Sequence, residues 1–395
     1  MTKSIKALIS PNLLVWARKS AGYDVASAAQ RLGIDAETLE GWESGEISLT
    51  IAKLRDAAEL YKRPLAVFYL PEPPKGFSVL KDFRKLPQGV SAEYSPKLRF
   101  LIRKVTDRQQ WAENFRKEHG AEICKFVGAI TIANDIYAVA RKVRQLLGVT
   151  LQEQFAWHNS ELALRHWVES AEAVGLLVFQ SSDVSIDEMR GFAIPNKIAP
   201  AILINSKDTR SARIFTLFHE FAHILLNAEG VSNLAIDVNS RSEKQQIEIY
   251  CNKLAAEILV PKQSLVSFIQ QPDNIEIDNC INNASNQYSV SREVIARRLL
   301  DLDYITQNDY EIRRKTYAKE AENARNQPKK ELKIPRPTII LRNYGRQFAR
   351  EVFAAYGDDE ISARDVSMLL NARLKHFSGI EAAISPSLWK GTQSR

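Results

Sequence analysis

The sequence predicts an α+β chain, mostly helical, with a small three-stranded sheet near its middle and helical segments toward its C-terminus. Amphipathic stretches of helical spacing, bounded by capping residues, recur from about residue 11 to 385. Only three short runs read as strands, 175–180, 191–194 and 201–205. The composition is globular, 395 residues with 45% hydrophobic and 26% charged, enough for about two or three domains. That excludes a disordered chain, a collagen and a disulfide scaffold. Apolar runs such as Ala255 to Val260 stop short of the roughly 18 residues a membrane span needs. The opening Met1-Thr-Lys-Ser-Ile-Lys has no secretory pattern. Cys124, Cys251 and Cys280 are scattered without a CxxC, which predicts thiols packed in cores and a cytoplasmic location. A net charge of +7 permits nucleic-acid contact without requiring it.

In chain order, Asn12 to Ser20 is amphipathic through Leu13, Leu14 and Ala17. Asp24 caps Val25 to Leu32 and Gly33 stops it; Asp35 caps Ala36 to Ser44 and Gly45 ends it; Thr50 opens Ile51 to Tyr61. Residues 1–70 form one domain. Pro71-Glu-Pro-Pro74 starts a stiff linker, 71–92. Residues 93–262 form the next domain: helices over Ser95 to His119, Ala133 to Leu147 and Glu161 to Ala173, the three strands, then helices over Ser211 to Asn227 and Lys244 to Leu259, the last stopped by Pro261. A helical unit covers 263–310. The basic stretch 311–337 reads as a solvated linker, and 338–395 as an amphipathic segment of unknown role.

The sharpest chemical signal is His219-Glu220-Phe221-Ala222-His223. One helical turn separates the two histidines, so both imidazoles can reach one zinc ion. Glu220 is turned about 100° from His219, so it misses the metal but reaches a water beside it. The helix is apolar nearly all round and should be buried, where two imidazoles and a carboxylate need partners. The bland alternative is two histidines in ordinary hydrogen bonds.

A catalytic zinc needs a third ligand. The long pattern HExxHxxGxxH fails, because Leu226 and Glu229 stand where Gly and His are required. The only later histidine is His376. A carboxylate is therefore expected, best supplied by Glu248 on the following helix, with Asn252 one turn on to orient an imidazole. The rivals are Asp237, Glu243 and Glu257; Glu257 falls on the opposite helix face. With such a site, Glu220 acts as general base in peptide hydrolysis. Ala201 to Asn205 is a candidate edge strand for pairing with an extended substrate. Arg213 reads as a salt-bridge residue. Tyr250 points elsewhere, and Tyr288 or His158 reach the site only through tertiary structure.

Val25 to Gly33, Ile34 to Gly45 and Thr50 to Phe68 resemble a Xre/Cro-type helix-turn-helix. Its second helix, with Thr38 as a base-contact candidate, carries Glu37, Glu40 and Glu43 and no Lys or Arg. Residues 1–70 hold 9 basic against 8 acidic groups. The domain therefore reads either as a binder of double-stranded DNA, with Arg18, Lys19 and Arg31 near phosphates, or as a protein-interaction module. A second such stretch, Asn283 to Leu300, places Arg292, Arg297 and Arg298 after a cap at Ser289 or Ser291; it reads as a DNA-contacting helix or as a solvated face.

Together these motifs, with Asp82-Phe-Arg84 and Glu248-x-x-x-Asn252-x-x-Ala-Ala-Glu-Ile-Leu-Val-Pro261, resemble the ImmA/IrrE metallo-endopeptidases fused to an N-terminal Xre-type domain. Phe221-Ala222 replaces the common Leu-Gly, and Cys251 and Leu254 replace Ala and Phe. The resemblance implies a zincin-like fold, Zn2+ at His219, His223 and Glu248, and Glu220 as general base. It implies cleavage of a repressor, often itself Xre-type, which switches on genes of stress response, mobile elements or toxin–antitoxin pairs. The partners expected are this protein substrate, double-stranded DNA and a second copy of the chain, and no membrane. The alternative is a DNA-binding regulator, or an antitoxin-like binding protein, with a structural or vestigial zinc site.

Overall fold

The computed structural model describes residues 5–74, 94–228, 230–232, 243–271, 276–326 and 334–385. They fall into two compact units, Met1–Thr106 and Asp107–Arg395.

The first unit contains α1 (Pro11–Ala21), α2 (Val25–Leu32), α3 (Ala36–Ser44), α4 (Ile51–Leu60) and a 3₁₀ turn, Leu65–Tyr69. The expected caps are in place. Asp24 accepts from the Ser27 amide and Asp35 from the Thr38 amide, each at 2.6 Å, and Thr50 accepts from the Lys53 amide at 3.3 Å. Gly33 ends α2 in the left-handed conformation that only glycine adopts freely. Leu13, Leu14, Leu39, Leu54, Tyr61 and Phe68 form the core. Arg18 is buried and paired with Glu43 at 2.7 Å, so it is not offered to phosphate.

The helix α5 (Pro96–Glu118) runs through the boundary residue Thr106. The second unit continues with α6 (Ile136–Leu147), α7 (Leu151–Phe155), α8 (Ser160–Ala173), β1 (Leu177–Ser181), β2 (Gly191–Ile194), β3 (Ala201–Asn205), α9 (Arg210–Leu225), β4 (Gly230–Ser232) and α10 (Glu243–Leu259). It ends with α11 (Lys262–Ile269), α12 (Ile277–Tyr288), α13 (Arg292–Asp301), α14 (Gln307–Asn326), α15 (Arg336–Tyr344), α16 (Arg346–Gly357), α17 (Ala363–Leu370), a 3₁₀ turn Leu374–His376 and α18 (Phe377–Ile384). The sheet order is β1-β3-β2-β4. Strand β3 runs parallel to β1 and antiparallel to β2, and β4 adds a short fourth strand beyond β2. Every residue of β2 and β3 is buried, so both faces are covered. Val178, Ala193, Ile202 and Ile204 belong to the core shared with α9 and α10. Phe179, one residue on from Val178, instead meets Phe348 of α16, ring centroids 5.3 Å apart.

Two expectations change. Ala201 to Asn205 is not an edge strand, because β3 has β1 on one side and β2 on the other; its continuously apolar sequence suits that interior place. Residues 311–326, read as linker, lie within the 20-residue helix α14. Its polar, exposed surface hid the helix, which is fixed through contacts such as Arg292 over the Tyr317 ring at 4.5 Å. Asp82 to Arg84, Asp237, most of 71–92 and the stretch 327–333 lie outside the described residues.

Buried polar ties attach α16 to the rest of the second unit. Arg116 of α5 pairs with Glu351 at 2.8 Å and donates to the Gly175 and Ile198 carbonyls. Glu172 of α8 accepts from the Arg346 amide at 3.2 Å, at the start of α16, and burial pushes its pKa up to about 8.

Candidate metal centre

Helix α9 starts at Thr209, which accepts from the Ala212 amide at 3.3 Å, and from Ile214 to Leu225 it is buried except for the partly exposed Phe215. Its sides are filled by β2, β3, α8 and α10. Phe218 meets Trp167 edge to face at 4.7 Å, and Phe221 meets Phe126 at 5.4 Å. The apolar sequence around His219 and His223 therefore locks both imidazoles inside the fold.

The neighbouring helix α10 brings Glu248 to them. The His219 and His223 Nε2 atoms are 3.2 Å apart, and the Glu248 oxygens lie 3.2 Å from His219 Nε2 and 3.3 Å from His223 Nε2. A tetrahedral zinc with ligand bonds of about 2.0–2.1 Å has donor–donor edges of about 3.3–3.4 Å. The two imidazole nitrogens are thus spaced as one edge of that tetrahedron, each faces a different oxygen of the Glu248 carboxylate, and one donor atom from each of the three residues lies within 4.8 Å of the others; two imidazole nitrogens and one carboxylate suit zinc. His219 Nδ1 is 2.9 Å from Asn252 Oδ1. With Nδ1–H donating there, Nε2 presents its lone pair to the cluster.

The electrostatics agree with a cation at this point. Burial opposes charge on both Glu248 and His223. Contacts with His219 and His223 outweigh it at Glu248, holding its carboxyl well below the usual range. Contacts with Cys251 and Glu248 outweigh it at His223, raising it well above an ordinary imidazole. Burial pushes the Cys251 thiol up, so it stays protonated beside His223.

Glu220 is fully buried on α9, packed toward the start of β2. A Cβ at Gly191 would stand 2.9 Å from Glu220 Oε1, 2.6 Å from Thr216 Cγ2 and 3.0 Å from the Leu203 carbonyl. Glycine at 191 is what lets the carboxylate lie there. Neither Gly191 nor Cys251 was singled out from sequence for this site. Cys251 had a signal, being three residues beyond Glu248 on one helix; Gly191 showed only a glycine in a strand.

Other candidates are placed elsewhere. Glu257 does face away, paired with buried Arg298, which also donates to the Val260 carbonyl at 3.1 Å. Arg298 is 4% exposed and so is withdrawn from any groove-contacting face. Ser291 caps α13, accepting from the Val294 amide at 3.3 Å. Half-buried Arg297 pairs with Asp301 at 3.2 Å, and Arg292 with Glu320. Thr38 lies half-buried in the first turn of α3, with Glu37 and Glu40 exposed beside it. Arg213 is buried rather than a surface salt bridge; its Nη1 reaches the Ser206 carbonyl at 3.5 Å, and burial pushes its pKa down to about 10. Tyr250 donates to the Asn134 carbonyl at 3.2 Å, Tyr288 bonds Ser264 at 2.6 Å, and His158 is exposed.

A buried helix carrying two imidazoles and an acid, closed by a carboxylate from the next helix, defines a metallopeptidase-like domain, and the N-terminal unit is a helix-turn-helix domain. Family models agree: residues 171–300 match the IrrE N-terminal-like domain, a peptidase family, and residues 14–68 match a helix-turn-helix family. The chain thus carries a peptidase domain of the ImmA/IrrE family behind a Xre-type helix-turn-helix. No curated protein matches the sequence. No helix among the described residues is long and apolar enough to cross a membrane.

Proposed function

We propose that this chain is a zinc-dependent endopeptidase that cleaves a regulatory protein, of the repressor type that the family resemblance implies. The observation that carries the proposal is the cluster of His219, His223 and Glu248, in which the two Nε2 atoms are 3.2 Å apart and each within 3.3 Å of a Glu248 oxygen, with Glu220 on the same buried helix as the histidines. Zinc held by those three residues would supply Lewis acidity toward the scissile carbonyl and the attacking water. Glu220 takes the proton from that water at its carboxylate and returns it to the leaving amine. Asn252 keeps the His219 ring in the orientation that offers Nε2. Gly191 leaves the space in which the Glu220 carboxylate stays aligned.

The test is Glu220→Gln, in the full chain, co-expressed with small Xre-type proteins encoded beside it, with fragments read by mass spectrometry. The expected result is zinc retained by elemental analysis and cleavage reduced by about 10²–10⁴-fold. Undiminished cleavage by the zinc-loaded variant would overturn the mechanism. The helix-turn-helix of residues 14–68 supports a second reading, a DNA-binding regulator. That reading expects duplex binding that persists without zinc and falls as salt rises. The exposed acids Glu37 and Glu40 on α3 favour a basic protein surface over phosphate as its partner.

A further inference from the structure

We propose that a cavity in the C-terminal helices, outside both family-matched stretches, binds a small phosphate-bearing anion. The cavity measures about 330 Å³ and is lined by Arg336, Arg373, Lys375 and His376, with Ser367 and Asn371 as neutral hydrogen-bonding groups. No carboxylate lines it, and among the described residues Arg336, Arg373 and Lys375 have no ion-pair partner. All three are exposed, so water screens part of their mutual repulsion, and an anion seated in the concave space between them would relieve the rest.

A helix end reinforces the same sign. Arg336 is the first residue of α15, and His376 immediately precedes α18. Helix α15 has no side-chain cap at its start and no acid in its first turn, so its partial positive charge is left uncompensated. The two first turns abut: a Cβ at Gly379 of α18 would stand 2.9 Å from Pro337 Cγ of α15. The positive end of α15, through Arg336, and three cations therefore meet at one space.

Size and shape narrow the ligand. The volume lies at the low end of small-molecule sites. It exceeds what a lone phosphate fills, and its concavity does not suit the convex backbone of a duplex. Its walls offer one ring, His376, and one buried apolar residue, Ala372, so recognition rests on charge. The class that fits is a diphosphate or a nucleoside monophosphate, held through arginine–phosphate hydrogen bonds.

The experiment is titration calorimetry of the full chain with inorganic pyrophosphate, with adenosine 5′-monophosphate and with a short DNA duplex in parallel arms. Saturable binding of pyrophosphate or the nucleotide is expected, weakened about tenfold to a hundredfold by Arg373→Glu and largely kept by Arg373→Lys. Lys142→Glu, an exposed charge change on α6 outside the cavity, is expected to leave binding intact. Should Arg373→Glu fail to fold by circular dichroism, Lys375→Ala replaces it, with weakened binding again expected. Absence of saturable binding, an equal loss in Lys142→Glu, unchanged binding in the folded cavity variant, or binding confined to the duplex would each overturn the proposal.

Discussion

Glu172 makes the stability of this chain depend on pH in a direction opposite to that of most carboxylates. It is 5% exposed and accepts from the backbone at the start of α16. Burial is the dominant influence and lifts its pKa from the ordinary 4.5 to about 8. An acid whose folded value is raised binds its proton more tightly when folded. Its contribution is complete below about pH 4.5 and is lost as pH rises toward about 8. Each tenfold in proton affinity is worth about 1.4 kcal/mol, so the whole effect is on the order of 5 kcal/mol. About 3 kcal/mol of it falls between pH 5.5 and 7.5 at one proton per molecule. Glu172→Gln removes the titration while keeping an oxygen to accept from α16. Urea unfolding of parent and variant, at fixed ionic strength and both pH values, separates this group from the histidines common to both. The parent should lose about 3 kcal/mol more than the variant across that window. Parallel pH dependences would refute the assignment.

Two further outcomes follow from the packing. Gly191→Ala forces its Cβ into the space of Thr216 and Glu220, and should cost about 1–3 kcal/mol in thermal unfolding while lowering peptidase turnover without loss of bound zinc. Arg298→Ala should destabilise the chain by about 3–5 kcal/mol, because Glu257 is left buried and unpaired. Arg297→Ala, at a partly solvated i,i+4 pair, should cost under about 1 kcal/mol. Equal effects of the two arginines on urea unfolding would contradict the burial of Arg298.

The helices and most of their caps were legible because Asp24, Asp35 and Thr50 each stand just before an apolar repeat, where a short acceptor side chain satisfies free amides. The pairing of His219, His223 and Glu248 was legible for a related reason. Helical pitch places the first two, and only one acid on the following helix sits well with an asparagine one turn on. What escaped the sequence depends on neighbours far along the chain. An arginine looks the same whether it is partly solvated, as Arg297 is, or held inside by Glu257, as Arg298 is. Likewise, a run such as Ala201 to Asn205 reveals that it is extended but not how many strands flank it. Gly191 matters only because Glu220, 29 positions later, folds against it. Helix α14 has too little apolar surface for periodicity to expose it.

The ties between Arg116 and Glu351, and between Glu172 and α16, bear on how the protein can be handled. The segment matched to the peptidase family, 171–300, contains neither Arg116 nor Glu351, nor the α16 amides that Glu172 greets. A fragment trimmed to that segment would carry Glu172 stripped of its lid and would lack Trp167, which props Phe218 in the motif helix. Efforts to isolate a minimal enzyme should therefore keep both the long lead-in helix and the C-terminal helices, which belong to its foundations rather than to its periphery.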